Sequence, residues 1–310
     1  MLGKLDREKV AGVHLGEDHI RAVQLRAGTD GRLKLLRAAA EPYDPRAPVD
    51  VIASTLRRFW SQHRFSTYTV NSTLEGRSLF YKHCRFKGVA RDELRSAVRL
   101  EAEESLQMPG AQIAVDWHVN RVDDESGSLE AVLVAIPREI LDGHVQILRM
   151  AGLYPVIIDA RCLAFCNLFQ RLKGHERKGT VILINLASQC ADIAILYGTA
   201  ATYPRTIYFS SKTGHEARHY LIENLKDVLK YYQFKLHHEP VECAFVTGVA
   251  EGRDEFVEAV QQTVGLPCVT WDPMDDVFID GASAAAEEMN GGAEGMAVSL
   301  GLGLRGVENA

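Results

Sequence analysis

The sequence predicts an α/β protein assembled from two similar halves, each opening with three strands before its first helix. Three observations carry this. Residues 10–25, VAGVHLGEDHIRAVQL, set two apolar runs around Gly16-Glu17-Asp18-His19, the pattern of a strand, a tight turn and a returning strand. A related pattern returns at residues 181–196, VILINLASQCADIAIL. After each opening, helical patterns alternate with short apolar runs, so that a βββαβα order occurs twice, with a smaller α/β insertion in the first copy.

In chain order, GRLKLLRAAAE from Gly31 is a third strand, ended by the loop between Pro42 and Pro48. Residues 49–64 place Ile52, Leu56, Phe59 and Trp60 at helical spacing, with Arg57, Arg58 and Gln62 on the other side. Residues 67–119 read as strand (YTVNSTL), strand (LFYKHCRF), helix (91–107) and strand (IAVDWHV). That helix keeps Leu94, Val98, Ala102 and Leu106 on one stripe and charges elsewhere, the pattern of a solvated outer face. Met108-Pro109-Gly110 stops it, because proline cannot continue the hydrogen-bond ladder.

LEAVLVAIP from Leu129 is nearly continuous in apolar residues, as expected of a strand covered on both faces, and Pro137 opens a helix that ends at Gly152. YPVIID is expected to be a short buried strand, followed by a helical pattern through Ala164, Leu168 and Leu172. The polar run KGHERKG, residues 173–179, marks the boundary between the halves. Beyond it come strands at 180–185, 191–197 and 202–209, then a helix at 216–236 with Ala217, Leu221, Leu225, Val228 and Tyr232 on one stripe. The strand CAFVTG, a helix at 251–264, the strand LPCVTW and the small-residue-rich helix MAVSLGLGLRG complete a βββαβαβα half.

Composition narrows the function. A chain of 310 residues, 46% hydrophobic and 25% charged, has the make-up of an ordinary folded protein with a substantial core. Its net charge of −6 argues against nucleic acid as a partner, which would want a basic surface. The N-terminus MLGKLDREKV lacks the apolar core of a signal peptide, and no run reaches the ~18 apolar residues of a membrane span. A cytoplasmic location is expected, reaching the membrane only through partners. The six cysteines lie in apolar runs without a CxxC, which suits buried reduced thiols. Cys162 and Cys166 share a helix face, but no His or Cys pair at a ligand-like spacing completes a metal site, so core packing is the favoured reading.

A βββαβα unit used twice is the organisation of the actin-like ATPase fold, a duplicated ribonuclease H-like motif. Several stretches resemble one family of that fold, PilM, the cytoplasmic actin-like component of type IV pilus assembly. GVHLGEDHIRAVQL resembles its first phosphate loop, and EAEESLQMP followed by AVDWHV its inserted subdomain. VLVAIPREILDGHVQILRMAGLYPVIIDARCLAF is similar to its helix and following strand, AFVTGVAEGRDEFVEAVQQTVGLPCVTWDP to its adenosine side, and AVSLGLGLR to its closing helix. The related cytoplasmic domain of type II secretion GspL proteins resembles it too, although those continue into a membrane span. The expected domains are 1–178, with an inserted subdomain at about 44–128, and 179–310, with a helical subdomain at about 211–241.

The resemblance implies a nucleotide site between the two turns, formed here by His14, Gly16, Glu17, Asp18, Arg21, Asn185, Ser188, Gln189 and Gly248. Relatives are expected to carry Asp before Gly16 and an Asp-x-Gly second loop; this chain has His14 and Asn185-Leu186-Ala187. An imidazole and an amide do not supply the negative charge that magnesium prefers. Arg161 replaces an acidic residue, and Gly248-Val249 stands for a Gly-Gly pair, where valine does not easily take positive φ. Arg21 stands where the family has a lysine, and Asp18, Asp159 and Asp192 are carboxylates expected to compensate in part. A core role for His14 and a turn-bonding role for Asn185 stay open. The expectation is a degenerate ATPase site with hydrolysis lost and no cofactor required, ATP with Mg being the alternative.

Three function classes follow. The leading one is a non-catalytic scaffold that binds the N-terminal cytoplasmic tail of a PilN-like inner-membrane protein, in a groove beside the inserted subdomain, and joins it to pilus or secretion motor components. The second is an active ATPase or phosphotransferase on the same fold. The third is self-assembly into a homo-oligomeric filament or ring.

Overall fold

The computed structural model describes residues 10–27, 33–90, 92–123, 126–174, 179–198, 200–209, 212–236, 239–249, 251–279 and 295–307. In the first half β1 (Val10–Leu15), β2 (His19–Ala27) and β3 (Leu33–Pro42) form an antiparallel meander. Helix α1 (Val49–Gln62) then crosses to β4 (Thr69–Leu74), which runs parallel to β1. The chain next builds a separate small sheet from β5 (Phe80–Lys87), β6 (Ile113–Asp123) and β7 (Ser128–Pro137), with α2 (Leu94–Leu106) packed on it. Helix α3 (Arg138–Met150) returns it to β8 (Tyr154–Ala160), parallel to β4, and α4 (Arg161–Lys173) leads out.

The second half repeats the plan. Strands β9 (Thr180–Leu186), β10 (Cys190–Tyr197) and β11 (Ala200–Tyr208) are antiparallel, α5 (Gly214–Tyr231) crosses to β12 (Val241–Gly248), and α6 (Arg253–Val264) to β13 (Cys268–Thr270). The orders β3-β2-β1-β4-β8 and β11-β10-β9-β12-β13 are the same topology used twice.

Side-chain alternation explains how each opening strand serves two layers. Ala11, Val13 and Leu15 face a core with Leu56, Phe59 and Trp60 of α1 and Leu148 of α3. Ile182, Ile184 and Leu186 likewise face Leu221, Leu225 and Val228 of α5 and Phe256 of α6. The opposite faces, carrying Val23 and Leu25 of the first sheet and Val181 and Leu183 of the second, share one core with Phe165, Leu168 and Phe169 of α4. His14 and Asn185 are therefore the last inward-facing residues of β1 and β9.

The chain closes with β14 (Phe278–Ile279), paired to β3, and α7 (Ala297–Val307), wedged between β1, β4 and α4. Expected as part of a 179–310 domain, these closing elements pack on the first sheet. Small residues make that fit possible: a Cβ on Gly301 would lie 2.0 Å from the Ala164 carbonyl, and one on Gly12 would lie 2.2 Å from that of Ser299. Leu300, Leu302 and Leu304 are fully buried, each worth about 1.5–3 kcal/mol by removal from water.

Other expectations are corrected. The inserted subdomain is residues 80–137, not about 44–128, because α1 and β4 belong to the first sheet. Helix α5 is a layer of the second domain instead of a separate helical subdomain, since its apolar stripe lies directly on β9 and β10, and its last turn, Tyr232–Leu236, is π-helical. Strand β8 is a sheet edge with Tyr154 and Val156 exposed, so YPVIID is buried only toward its C-terminal end. Parts of the boundary run 173–179 and of the expected 91–107 helix lie outside the described residues. The six cysteines are free and five are buried.

Two glycine substitutions are expected to move stability in opposite directions. Gly301→Val should lose about 2–3 kcal/mol by overpacking against α4. Gly143→Ala, in open space within α3, should gain up to ~1 kcal/mol from helix propensity. Urea unfolding of the two variants beside the wild type measures both.

Candidate functional site

The turn after β1 is closed by the Gly16 N–H donating to the His19 carbonyl at 3.0 Å, and the turn after β9 by the Ala187 N–H donating to the Cys190 carbonyl at 2.9 Å. The same bond thus shapes both turns, as the sequence repeat implies. They touch: Ser188 Oγ donates to Asp18 Oδ2 at 2.9 Å, tying one half to the other. Burial alone would raise the Asp18 carboxyl, but hydrogen bonds from His19 and Ser188 and the charge of Arg21 outweigh it and hold it below its usual range. Tyr43 Oη donates to the Gly16 carbonyl at 2.7 Å and braces the first turn from outside.

Beneath the turns lies a buried ionic network. Arg161, at the start of α4 and 2% exposed, donates from Nε to Asp192 Oδ2 at 2.7 Å and from Nη1 to Glu75 Oε2 at 2.9 Å. His14 Nε2 meets the same Glu75 oxygen at 2.8 Å. Asp192 also accepts from Asn185 Nδ2 at 3.1 Å and from Thr206 Oγ1 at 2.8 Å. One guanidinium therefore holds a carboxylate of each half. Burial opposes ionisation of Glu75, but His14 and Arg161 dominate and pull its pKa down to about 2. Arg161 is kept protonated: burial works against its charge, and Asp192, Glu75 and Glu17 more than compensate. Glu17, by contrast, is raised by burial, with Arg161 only partly countering it.

The space left between the turns is about 20 Å³, room for about one water molecule. His14, Gly16, Glu17, Asp18, Arg21, Asn185 and Ser188 all border it. Gln189 and Gly248, expected beside them, do not: the Gln189 carbonyl accepts from the Phe209 N–H, and Gly248 packs against the Leu186 backbone at φ +105. Of the carboxylates expected to compensate, Asp18 holds Ser188, Asp192 holds Arg161, and Asp159 is paired with Arg305. Glu75 and Thr206 were not foreseen. Glu75 follows directly on β4, a buried parallel strand, at the end of the sheet where α/β sites collect, and that position was the available signal. Among the described residues, no three His, Cys, Asp or Glu side chains converge as metal ligands.

Two larger cavities flank this centre. One of about 560 Å³ lies on the second half beside Ala187, Lys212, Gly214, Val249 and Gly252. The other, about 370 Å³, is a groove between the small sheet and the edge of the first sheet. Val132, Val134 and Ile136 of β7 form one wall, Ile158 and Leu163 the other, and Asp159 with Arg305 supply the charged residues beside them. Helix α2 covers the far face of the small sheet and takes no part in the groove.

Two like sheets meeting at paired turns, with helices between them, define the actin-like ATPase fold. Structural comparison agrees. A chain of a PilM-PilN type IV pilus biogenesis complex superposes with a TM-score of 0.82 at 19% identity, covering 97% of this chain and 99% of that one. A Bacteroides thetaiotaomicron protein with an actin-like ATPase fold and unknown function gives 0.54 at 10% identity, covering 87% and 95%. The cytoplasmic domain of EpsL, an inner membrane component of the Vibrio cholerae type II secretion system, gives 0.50 at 11%, covering 97% and 95%. The family described as type IV pilus assembly protein PilM matches residues 12–217. The chain belongs to the PilM family of type IV pilus assembly proteins. Among the described residues, no helix is long and apolar enough to cross a membrane.

The ionic network makes a pH-dependent prediction. Glu75 has a folded pKa of about 2 against 4.5 unfolded, so its stabilisation is complete above pH 4.5 and is lost as pH falls toward 2. Urea unfolding across that window should show the wild type losing stability. Glu75→Gln should lack this part of the slope and be about 3 kcal/mol less stable at neutral pH, because Arg161 loses a buried partner.

Proposed function

We propose that this protein is a non-catalytic scaffold of a type IV pilus or related secretion machine, holding the N-terminal cytoplasmic tail of a PilN-like inner-membrane protein in the groove beside the inserted sheet. The observation that carries the reading is the groove itself. A central strand that is apolar on both faces has one face under α2, and on the other the buried Val132 and Ile136 and the half-buried Val134 form the groove wall. An extended peptide alternating apolar and polar residues suits such a wall, beside which the Asp159–Arg305 ion pair lies. On this reading the protein is cytoplasmic and reaches the inner membrane through its partner.

The same reading assigns no turnover to the paired turns. Magnesium seeks hard oxygen ligands, and Glu75 and Asp192, which could supply them, are engaged by Arg161. His14 and Asn185 offer nitrogen and amide groups, and the remaining volume of about 20 Å³ does not admit a triphosphate. The donor set does not fit Mg-ATP, so no hydrolytic step is assigned. One observation favours the alternative, an ATPase or phosphotransferase. The cavity of about 560 Å³ beside the second turn is large enough for a nucleoside and carries Lys212 and Arg218.

Two measurements test these readings. A synthetic peptide of the PilN-like tail should bind by isothermal titration calorimetry, and Val134→Arg should weaken it roughly tenfold or more. Unchanged affinity would remove the groove from consideration. Millimolar Mg-ATP should leave the melting temperature unmoved; stabilisation beyond about 2 kcal/mol would establish a nucleotide site and favour the alternative.

A further inference from the structure

A different cleft, of about 390 Å³, separates β5 of the inserted sheet from β11 of the second domain. It lies on the β5 side of the small sheet, whereas the groove described above runs along β6 and β7. Both of its walls are sheet edges: β5 ends the order β5-β7-β6, and β11 ends β11-β10-β9-β12-β13. The lining takes consecutive residues from each strand, Phe80-Tyr81 and Tyr203 through Thr206, as an edge offers; a sheet face would present alternate ones. Pro204 within β11 also suits an edge, where no ladder N–H is needed. Edge strands carry unpaired N–H and C=O groups, a template for an extended chain.

The chemistry of the cleft is one-sided. None of its lining residues is Asp or Glu. Arg77 and Arg205 are exposed, and among the described residues neither is paired with a carboxylate. Arg77 lies 5.0 Å over the Tyr208 ring, which orients its guanidinium plane and leaves its N–H edges available to an anion. Tyr208 Oη accepts from the Gly76 N–H at 2.8 Å, and Tyr81 Oη from the Cys162 N–H at 3.4 Å, so each phenol keeps its own proton to donate. Burial raises both phenols above their ordinary range, which keeps those protons in place. His83, also in the lining, faces the buried Glu130 at 3.7 Å, a carboxylate already held by Arg85 at 2.7 Å.

We propose that the cleft between β5 and β11 is a docking site for an extended acidic peptide segment of a partner protein. Backbone edges supply hydrogen bonds along the peptide, and the exposed Arg77 and Arg205 read its carboxylates, with Tyr208 beneath Arg77. A free nucleotide would use the cations but leave both edges unpaired, which is why the peptide is the better match.

The test uses the full chain and a fluorescein-labelled probe, Glu-Val-Glu-Tyr-Glu-Val, in fluorescence anisotropy at low salt. Saturable binding is expected. It should weaken as salt rises and disappear for the same peptide with Lys in place of Glu. The double variant Arg77→Glu/Arg205→Glu should lose roughly tenfold or more, whereas Arg149→Glu on α3 should keep the wild-type affinity. Should the double variant melt early, the single Arg205→Ala carries the comparison, with Arg205→Lys restoring part of the loss. Hydrogen exchange should slow for amides of β5 and β11 when the probe is bound. Absence of binding, affinity unchanged in the charge-reversed variant, or ATP binding there without slowed exchange would each overturn the proposal.

Discussion

The structure depends on one buried cation. Arg161 opens α4, the helix that leaves the first sheet and packs against the second, and its guanidinium holds Glu75 of the first domain and Asp192 of the second. Buried charges are tolerated only when paired and hydrogen-bonded, and here the pairing spans the domains. Separating the halves would break the Arg161–Asp192 pair. The Ser188 to Asp18 bond adds a smaller tie above it. Closure of the cleft is thus written into the chain's own side chains, where a fold of this kind could otherwise draw it from a bound anion and metal. The small residues of α7 act in the same sense. Gly301 brings the helix onto the Ala164 carbonyl, Ser299 Oγ donates to the Arg21 carbonyl of β2, and Asn71 Nδ2 of β4 donates to the Leu302 carbonyl of the helix.

The duplicated plan follows from strand periodicity. Each opening strand must satisfy an outer core with one set of side chains and the shared core with the other, and both run out of apolar residues at the same point, His14 and Asn185. Those two positions face the cleft because they are the inner-facing residues next to the turns. There each bonds a carboxylate that Arg161 also holds, His14 to Glu75 and Asn185 to Asp192, so the buried cation and its two acids are paired within the chain.

The parts of this arrangement that were legible in the sequence are those set by local pattern. The two turns, the strands around them and the helical stripes of α1, α2 and α5 follow from apolar spacing, and the unusual residues His14, Asn185 and Arg161 stood out against the family resemblance. What pattern could not give depends on distant neighbours. Glu75 was one charged residue in a loop until folding placed it 86 positions away against Arg161. Thr206 reaches Asp192 only because β11 pairs with β10. Strand β8 read as buried because apolar residues dominate it, but its place at a sheet edge is a property of topology. The limits of the insertion were misplaced for the same reason: α1 and β4 look like any helix and strand until β4 pairs with β1.

The apolar run of β7 shows why such patterns carry function as well as packing. Covered on both faces was the natural inference, since a soluble chain rarely leaves consecutive valines toward water. One face is covered by α2; the other borders the groove. Val132 and Ile136 are nevertheless buried on that side, and of the three apolar residues there Val134 is the one left half-buried. Among the polar contacts of the described residues, Asn120 donates to the Ala201 carbonyl and so joins the inserted sheet to the second domain, and Tyr81 accepts from the Cys162 N–H and so joins it to α4. The two main sheets share an ionic lock, whereas the insertion has neutral hydrogen bonds, each worth roughly 1 kcal/mol net. A ligand that distinguishes two positions of the insertion would therefore meet the least resistance there, and both open clefts border it.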